Sequence, residues 1–378
     1  MFRLDLCYFC NKLGGELLCY KANTSILHTF EQVSTGSYKF TILGSKGDTM
    51  KKSILAAAIA AAVAAPAVNA NVTIYGKVHV SVDNIDGDMY NWPGEDGYRY
   101  DDSISDLDQW QVKSRASRIG FKGTEDLGNG LSLIWKAETT YDFADGSAWG
   151  SGRNAYIGLT GDWGTFLYGR HDTPYKMAYY AGGVEMMGDT IIDFGETGYL
   201  DSTYSRVRAS NAIAYVSPNM NGLTIAAAIV PGEGNNFDNG TGLADAVSIS
   251  GMYSNNGLKL AAGYEDLGDD DNKFLVTAGY TMNNFTIAAL YQNADFEDQD
   301  IDTVLLAGSY SMGNNTFVAK WGRTKDSYED GTRATVWSLG AEHKLSKRSS
   351  VYVGYTNADE NYQDDSMDGF SVGMIHNF

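Results

Sequence analysis

The sequence predicts an all-β protein that closes into an antiparallel transmembrane β-barrel, and three observations lead to this prediction. After residue 70 the chain has no long apolar run, which argues against membrane-spanning helices. Segments of about ten residues with alternating apolar and polar side chains recur throughout the same part, as transmembrane strands do. The polar faces of these segments carry charged residues that a dry protein core would not tolerate.

Alternating segments follow one another along the chain, and we count sixteen of them. In the first, Val72 and Ile74 share one face while Lys77 and His79 share the other, as the period of two in a strand requires. A long acidic segment, 83–108, is expected to follow as a loop. The predicted strands lie near 72–82, 114–125, 131–143, 153–160, 165–170, 206–217, 223–231, 245–254, 258–266, 273–282, 285–294, 302–312, 316–325, 333–345, 350–356 and 369–378.

The connections between these segments alternate between short turns and longer acidic loops. Short turns carry pairs such as Asn129-Gly130, Asn256-Gly257 and Asn283-Asn284, and Asn and Gly tolerate the positive φ angles of tight hairpins. Longer connections, such as 232–244 and 357–368, are rich in acidic residues. Turns at one rim and long loops at the other are typical of a membrane barrel, and an even strand count places both termini on the periplasmic side.

The two faces of the predicted strands meet different surroundings. Apolar side chains are expected to face lipid, and the charged face is expected to line a water-filled lumen. Aromatic residues near strand ends suit interfacial girdles, namely Tyr141, Phe143, Tyr156, Phe166, Tyr168, Tyr215, Tyr253, Tyr264, Tyr280, Tyr291 and Trp337. The predicted lumen face carries Lys77, Arg118, Lys122, Lys136, Glu138, Arg153 and Arg208.

A secretory signal is predicted inside the chain, at residues 50–70. Met50-Lys51-Lys52 is a short positive region, an apolar stretch follows from 54 to 68, and small residues precede Asn71, the predicted mature N-terminus. The alternative is a retained membrane anchor, for which the stretch is short. Because signals are read from the N-terminus, residues 1–49 are interpreted as a gene-model artefact upstream of the true start, Met50. All three cysteines lie there, and residues 71–378 form the predicted barrel.

The chain is acidic, with 28 Lys and Arg against 47 Asp and Glu and a formal net charge of −19. This balance argues against nucleic acid as a partner. It favours a surface that handles cations.

Several motifs resemble the trimeric general diffusion porins of Gram-negative outer membranes. They lie at 74–77, 117–123, 125–130, 153–159, 163–170, 211–218 and 345–348, and the chain ends on an aromatic residue, Phe378, after an alternating strand. The resemblance covers essentially all of 71–378. It implies sixteen antiparallel strands, a homotrimer in outer-membrane lipid, and insertion by the barrel-assembly machinery with Phe378 as assembly signal. Lipopolysaccharide is a further expected partner, which the acidic loop tip at 269–271 would bridge through divalent cations.

The resemblance also implies an inward-folded third loop, here 171–205, that narrows the lumen. Such a long loop is usually functional. In this family acidic residues at the loop tip face a ladder of basic residues on the barrel wall. The acids that match by position are Asp189 and Asp193, and the matching bases are Lys77, Arg118, Arg153 and Arg208. Glu185 and Glu196 are expected to join the acidic side of this constriction. Around 192–196 this chain lacks the Pro and paired Gly of the enteric branch.

The predicted function is an outer-membrane channel for passive diffusion of ions and small hydrophilic solutes, moderately selective for cations. Neither an enzymatic activity nor a cofactor or metal is expected, because the histidines are scattered and no phosphate loop or metal-ligand spacing appears. The alternatives are a substrate-specific channel for sugars or phosphate, and an additional adhesin or phage-receptor role for the external loops.

Overall fold

The computed structural model describes residues 9–13, 16–20, 28–33, 37–42, 71–90, 103–146, 149–195, 200, 206–233, 240–268, 271–296, 299–326, 333–361 and 366–378. The chain divides into two compact units, Met1–Ala67 and Val68–Phe378. In the first, four antiparallel strands form a sheet in chain order: Phe9–Leu13, Glu16–Tyr20, His28–Val33 and Ser37–Ile42. The predicted signal peptide lies outside the described residues, so its cleavage and the gene-model interpretation remain predictions.

The second unit is a closed antiparallel barrel of sixteen strands, as predicted. Each predicted segment corresponds to one observed strand. The strands are β1 (Asn71–Tyr90), β2 (Ser103–Ser114 and Arg118–Gly128), β3 (Leu131–Tyr141), β4 (Trp149–Gly161), β5 (Gly164–Asp172), β6 (Arg208–Val216), β7 (Leu223–Val230), β8 (Ala246–Asn255), β9 (Leu258–Gly268), β10 (Asp271–Met282), β11 (Phe285–Phe296), β12 (Gln299–Met312), β13 (Asn315–Asp326), β14 (Arg333–Lys344), β15 (Ser349–Glu360) and β16 (Ser366–Asn377).

The first hairpin is longer than the sequence predicted. The expected loop over 83–108 was wrong at both ends, since β1 continues to Tyr90 and β2 begins at Ser103. The acidic residues after Val82 do not end the strand, because Asp83 is buried on the inner face and pairs with Arg115 at 2.6 Å. Arg115 lies in the break between the two segments of β2, which both pair with β1.

The barrel closes between its last and first strands. Val372 on β16 pairs with Val82 on β1, and the backbone of Phe378 exchanges hydrogen bonds of 3.0 and 3.1 Å with Gly76. The Phe378 ring occupies the space where a side chain at residue 76 would begin. Outward residues of β16 are exposed while Ser371 is buried, which confirms the predicted alternation.

The predicted tight turns are confirmed by their backbone conformation. Asn129 has φ of 54° and Gly130 of 75°, between β2 and β3. Asn256 and Gly257, at 49° and 82°, repeat this arrangement between β8 and β9. Asn283 has φ of 54° in the next such turn. Residues that accept a left-handed conformation therefore occupy the positions where short hairpins require it.

A long connection after β5 begins with a helix that lies against the inner wall. The helix α1 (Pro174–Ala181) starts at Thr173, whose side chain accepts a hydrogen bond from the backbone amide of Lys176. Pro174 occupies the first turn, where its missing amide proton costs nothing. The backbone amide of Tyr175 donates to Ser248 on β8 at 3.0 Å, which fixes the helix to the wall.

Beyond α1, the third loop packs apolar side chains on the arc of inner wall between β8 and β16. Leu200, Ile192 and Ile191 lie where side chains would stand at three wall glycines, Gly322, Gly340 and Gly369. Each fully buried large apolar side chain stabilises the packing by about 1.5–3 kcal/mol. The buried loop residues are Tyr175, Ala178, Tyr179, Val184, Ile191, Ile192, Phe194 and Leu200. This packing confirms the inward fold of the loop.

The outer face of the barrel is apolar, as predicted. Exposed outward side chains include Ile157 at 52% and Tyr168 at 50% of their full accessible area. One predicted girdle residue was wrong, because Tyr156 alternates with Ile157 and points inward, where it packs against buried Leu167. Among the described residues no helix is long and apolar enough to cross a membrane.

Candidate functional site

Charged side chains form a continuous group on the inner wall of β1 to β6, opposite the arc on which the loop packs. We call this group the basic belt. It consists of Lys77 on β1, Arg118 and Lys122 on β2, Lys136 and Glu138 on β3, Arg153 on β4, Asp172 on β5, Arg208 on β6, Lys176 on α1 and Asp189 in the loop.

Asp189 joins the loop to the belt. Its carboxylate lies 2.8 Å from the Lys77 ammonium and 4.0 Å from the Arg118 guanidinium. Burial alone would raise the pKa of Asp189, but the Lys77 charge and hydrogen bond hold that pKa below its usual value. The backbone of Asp189 has φ of 62°, in the left-handed region that residues other than Gly adopt only rarely. The structure thus brings three predicted site residues together.

Glu138 is the acidic centre of the next part of the belt. It accepts hydrogen bonds from the Tyr75 hydroxyl at 2.7 Å and from Arg153 Nε at 2.6 Å. Lys136 Nζ lies 3.2 Å from the same carboxylate. Lys122 lies over the Tyr75 ring, 5.3 Å from its centroid. Arg153 is therefore held by a carboxylate of the wall rather than by the loop tip.

Asp172 organises the root of the loop. Its carboxylate lies 2.8 Å from Lys176 Nζ and 3.1 Å from Arg208 Nε, and it accepts a hydrogen bond from Asn154 at 2.8 Å. Burial lowers the pKa of Lys176 to about 8, although the Asp172 charge opposes this effect. Arg208 thus faces the start of the loop, on the strand that follows it.

Glu185 anchors the loop to the wall. Its carboxylate lies 2.6 Å from Lys320 Nζ on β13, and the side chains are 2% and 0% exposed. It also accepts hydrogen bonds from the backbone amide of Phe194 and the Tyr179 hydroxyl. Burial raises the pKa of Glu185, and the nearby Asp193 charge adds to this effect. The geometry makes Glu185 an anchor rather than a lining residue.

Asp193 holds the loop tip in shape. Its carboxylate pairs with Arg206 at 2.6 Å and accepts hydrogen bonds from the backbone amides of Asp189 and Gly195. Burial would raise the pKa of Asp193, but the Arg206 and Lys320 charges hold it well below the usual range. Glu196, the fourth acid predicted at this tip, lies outside the described residues.

Sequence reasoning missed four residues that shape this site. Asp172 and Lys176 could have been found, because a Thr-Pro pair marks the helix start and they stand four residues apart around it. Lys320 and Arg206 pair with loop acids over contacts that no local pattern shows. In the described part of the chain, no group of three or more His, Cys, Asp or Glu is arranged to hold a metal ion.

Comparisons with known proteins agree with this architecture. The family model described as Gram-negative porin matches residues 55–363. Outer membrane porin protein 32 of Delftia acidovorans is 28% identical over 80% of this chain and 88% of its own length. A major outer membrane protein P.IB of Neisseria gonorrhoeae is 25% identical over 80% and 92%.

Solved structures share the fold at low sequence identity. The anion-selective porin from Comamonas acidovorans has a TM-score of 0.64 at 20% identity, covering 82% of this chain and all of that one. Salmonella typhi OmpF, in complex with daunomycin, has a TM-score of 0.62 at 17% identity, covering 81% and 97%. Since the porin model spans most of the chain, which also folds as a closed sixteen-stranded barrel, the chain belongs to the Gram-negative porin family and is a porin of the outer membrane.

Proposed function

We propose that the chain forms a water-filled channel through which ions and small hydrophilic solutes diffuse passively past the basic belt. The observation that carries this proposal is the charged inner wall opposite the packed loop. Arg118 and Asp189 keep 25% and 36% of their side-chain area exposed and Lys122 is exposed, and charged groups that are open in this way on an inner wall favour water around them. We assign the narrowest passage to the part of the lumen that is bordered by Asp189 at the loop tip and by the belt side chains of β2 to β4.

We further propose that the channel prefers anions. The belt holds seven basic side chains and three carboxylates, so its local charge is positive. This departs from the cation preference expected from the net charge of the whole chain. Charges in outer loops are screened beyond about 8–10 Å at physiological salt, whereas charges within the narrow passage act on each ion directly.

The native assembly is proposed to be a homotrimer in contact with lipopolysaccharide, inserted by the barrel-assembly machinery. One solved relative, OmpT of Vibrio cholerae, is described in a trimer form. Light scattering in detergent measures the mass of the assembly directly. A monodisperse monomer would contradict the trimer without affecting the channel proposal.

Recording of the refolded protein in planar bilayers tests the channel and its selectivity together. We expect stepwise conductance in KCl. In a KCl gradient, the sign of the reversal potential should show that chloride permeates more readily than potassium. Replacing Arg118 and Arg153 with Ser should shift the reversal potential toward cations, and Asp189→Asn should shift it further toward anions. Lys347→Ser, in an exposed turn outside the belt, is the matched control. A cation-selective wild type, or belt variants that change nothing, would refute the assignment.

A further inference from the structure

An aromatic and apolar patch lies on the inner wall directly beside the basic belt, toward the tight turns. Tyr156 on β4 pairs with Lys136 on β3 and with Gly169 on β5. Its ring contacts the imidazole ring of His171, with 5.2 Å between centroids. Because Ile157 points outward and is exposed, Tyr156 projects toward the lumen.

The patch extends beyond this one ring. Tyr156 packs against Leu167, which continues the same inward row together with Ala214 and Ala228 on β6 and β7. Leu167 is only 3% exposed, so the half-buried Tyr156 ring is the part of the patch that the passage meets.

Charge surrounds this ring on the belt side. Lys136 stands opposite Tyr156 in the strand register, and Arg153 lies three residues earlier on the same strand. Both cations contact Glu138, at 3.2 and 2.6 Å. A hydrated inorganic ion gains nothing from an apolar wall. An organic anion can place its carboxylate against the cations and its apolar body against the ring.

We propose that Tyr156 and the adjacent cations form a subsite for small organic carboxylates with an aromatic or apolar body. Such anions bind transiently at the subsite, and their permeation depends on the Tyr156 ring, whereas the permeation of hydrophilic carboxylates such as gluconate does not. This inference rests on the proposed diffusion channel, of which it names a preferred class of solute. The binding is weak and reversible, since a passage must also release what it binds.

Bilayer recordings with benzoate and gluconate test the subsite. Permeability of each anion relative to chloride is measured from reversal potentials, and corrected for its mobility in free solution. We expect benzoate to exceed gluconate in the wild type. Tyr156→Ser should reduce the permeability of benzoate relative to chloride at least about threefold and leave the relative permeability of gluconate unchanged. Tyr156→Phe should retain the preference, because the ring face carries it. Tyr168→Ser, which removes an outward-facing ring on the neighbouring strand, is the control.

A second measurement needs no variant. Benzoate added to the wild-type channel should lower the KCl conductance in a saturable manner, while gluconate should not. If benzoate shows neither saturation nor an excess permeability, or if Tyr156→Ser leaves both unchanged, the subsite is refuted. Absence of any KCl conductance would instead overturn the proposed channel, so the two failures are distinguishable.

Discussion

Replacing Lys320 with Met should release the third loop from the barrel wall. Lys320 is fully buried, lies 2.6 Å from the Glu185 carboxylate and stands over the Phe194 ring at 4.0 Å. Met preserves much of the side-chain length and removes the charge. The variant therefore leaves a buried carboxylate without its counter-charge, while Glu185 keeps its hydrogen bonds to Phe194 and Tyr179.

The expected cost follows from the burial of the pair. Removing one partner of a buried ion pair typically destabilises a structure by about 3–5 kcal/mol. If the cost falls on the docking of the loop, the ratio of docked to undocked loop drops by about two to four orders of magnitude. When the loop undocks, its charged and apolar side chains move within the lumen. The ionic current should therefore fluctuate between different conductance levels.

Single-channel recording measures this fluctuation as open-channel noise and as transitions between conductance levels. The wild type should give a steady current, and Lys320→Met a noisy one. Lys325→Met is the matched control, because Lys325 is an exposed residue of the same strand. The double variant Lys320→Met with Glu185→Gln should recover a steadier current, because it removes the unpaired charge.

The defect should also depend on pH with a definite sign. Burial already raises the pKa of Glu185, and loss of Lys320 removes a charge that opposes this rise. In the variant, docking is penalised when Glu185 is ionised, so stability is lost as pH rises through the raised pKa. The noise should be greater at pH 8 than at pH 5. A variant as quiet as wild type at pH 8 would refute the anchoring role.

Three further predictions concern processing, assembly and the loop tip. The intact mass of protein from outer membranes should correspond to a chain that starts at Asn71; a mass that includes residues 1–49 would contradict the predicted signal. Deleting Phe378, or replacing Gly76 with Val so that the Phe378 ring is displaced, should lower the amount of protein in the outer membrane more than it lowers the conductance of assembled channels. Quantitative immunoblots measure the amount of protein, and bilayer recordings measure the conductance. Because Lys77 holds the pKa of Asp189 low, the carboxylate stays ionised at pH 5, so the selectivity change in Asp189→Asn should be equal at pH 7.5 and pH 5.

Strand number and strand faces could be read from local patterns. Alternation located all sixteen strands because the side chain of each residue is tied to one face of the sheet. Turn residues such as Asn129 and Gly130 marked the short hairpins through their backbone preference alone. The first hairpin exceeded its prediction because acidic composition was taken as a sign of a loop, whereas Asp83 is neutralised inside by Arg115.

The sequence predicted which charged residues belong to the candidate site, but it predicted only part of how they pair with one another. Lys77 and Asp189, which are 112 positions apart in the chain, were matched by resemblance to a known family, and the structure places them in contact. Asp193 and Glu185 were assigned to the same acidic tip. The structure instead buries them against Arg206 and Lys320. No strand or turn pattern distinguishes an acid that anchors a loop from one that lines a passage.

The sequence by itself determined the barrel, because strand alternation and turn chemistry are local properties that each segment expresses without the others. The tertiary structure alone decided which charges remain available in the lumen. The loop lies on one arc of the wall because its apolar side chains fill space above wall glycines on strands distant in sequence. That packing buries two acids and leaves the belt from β1 to β6 facing the passage, so the balance of charge there depends on three-dimensional contacts that net charge does not report.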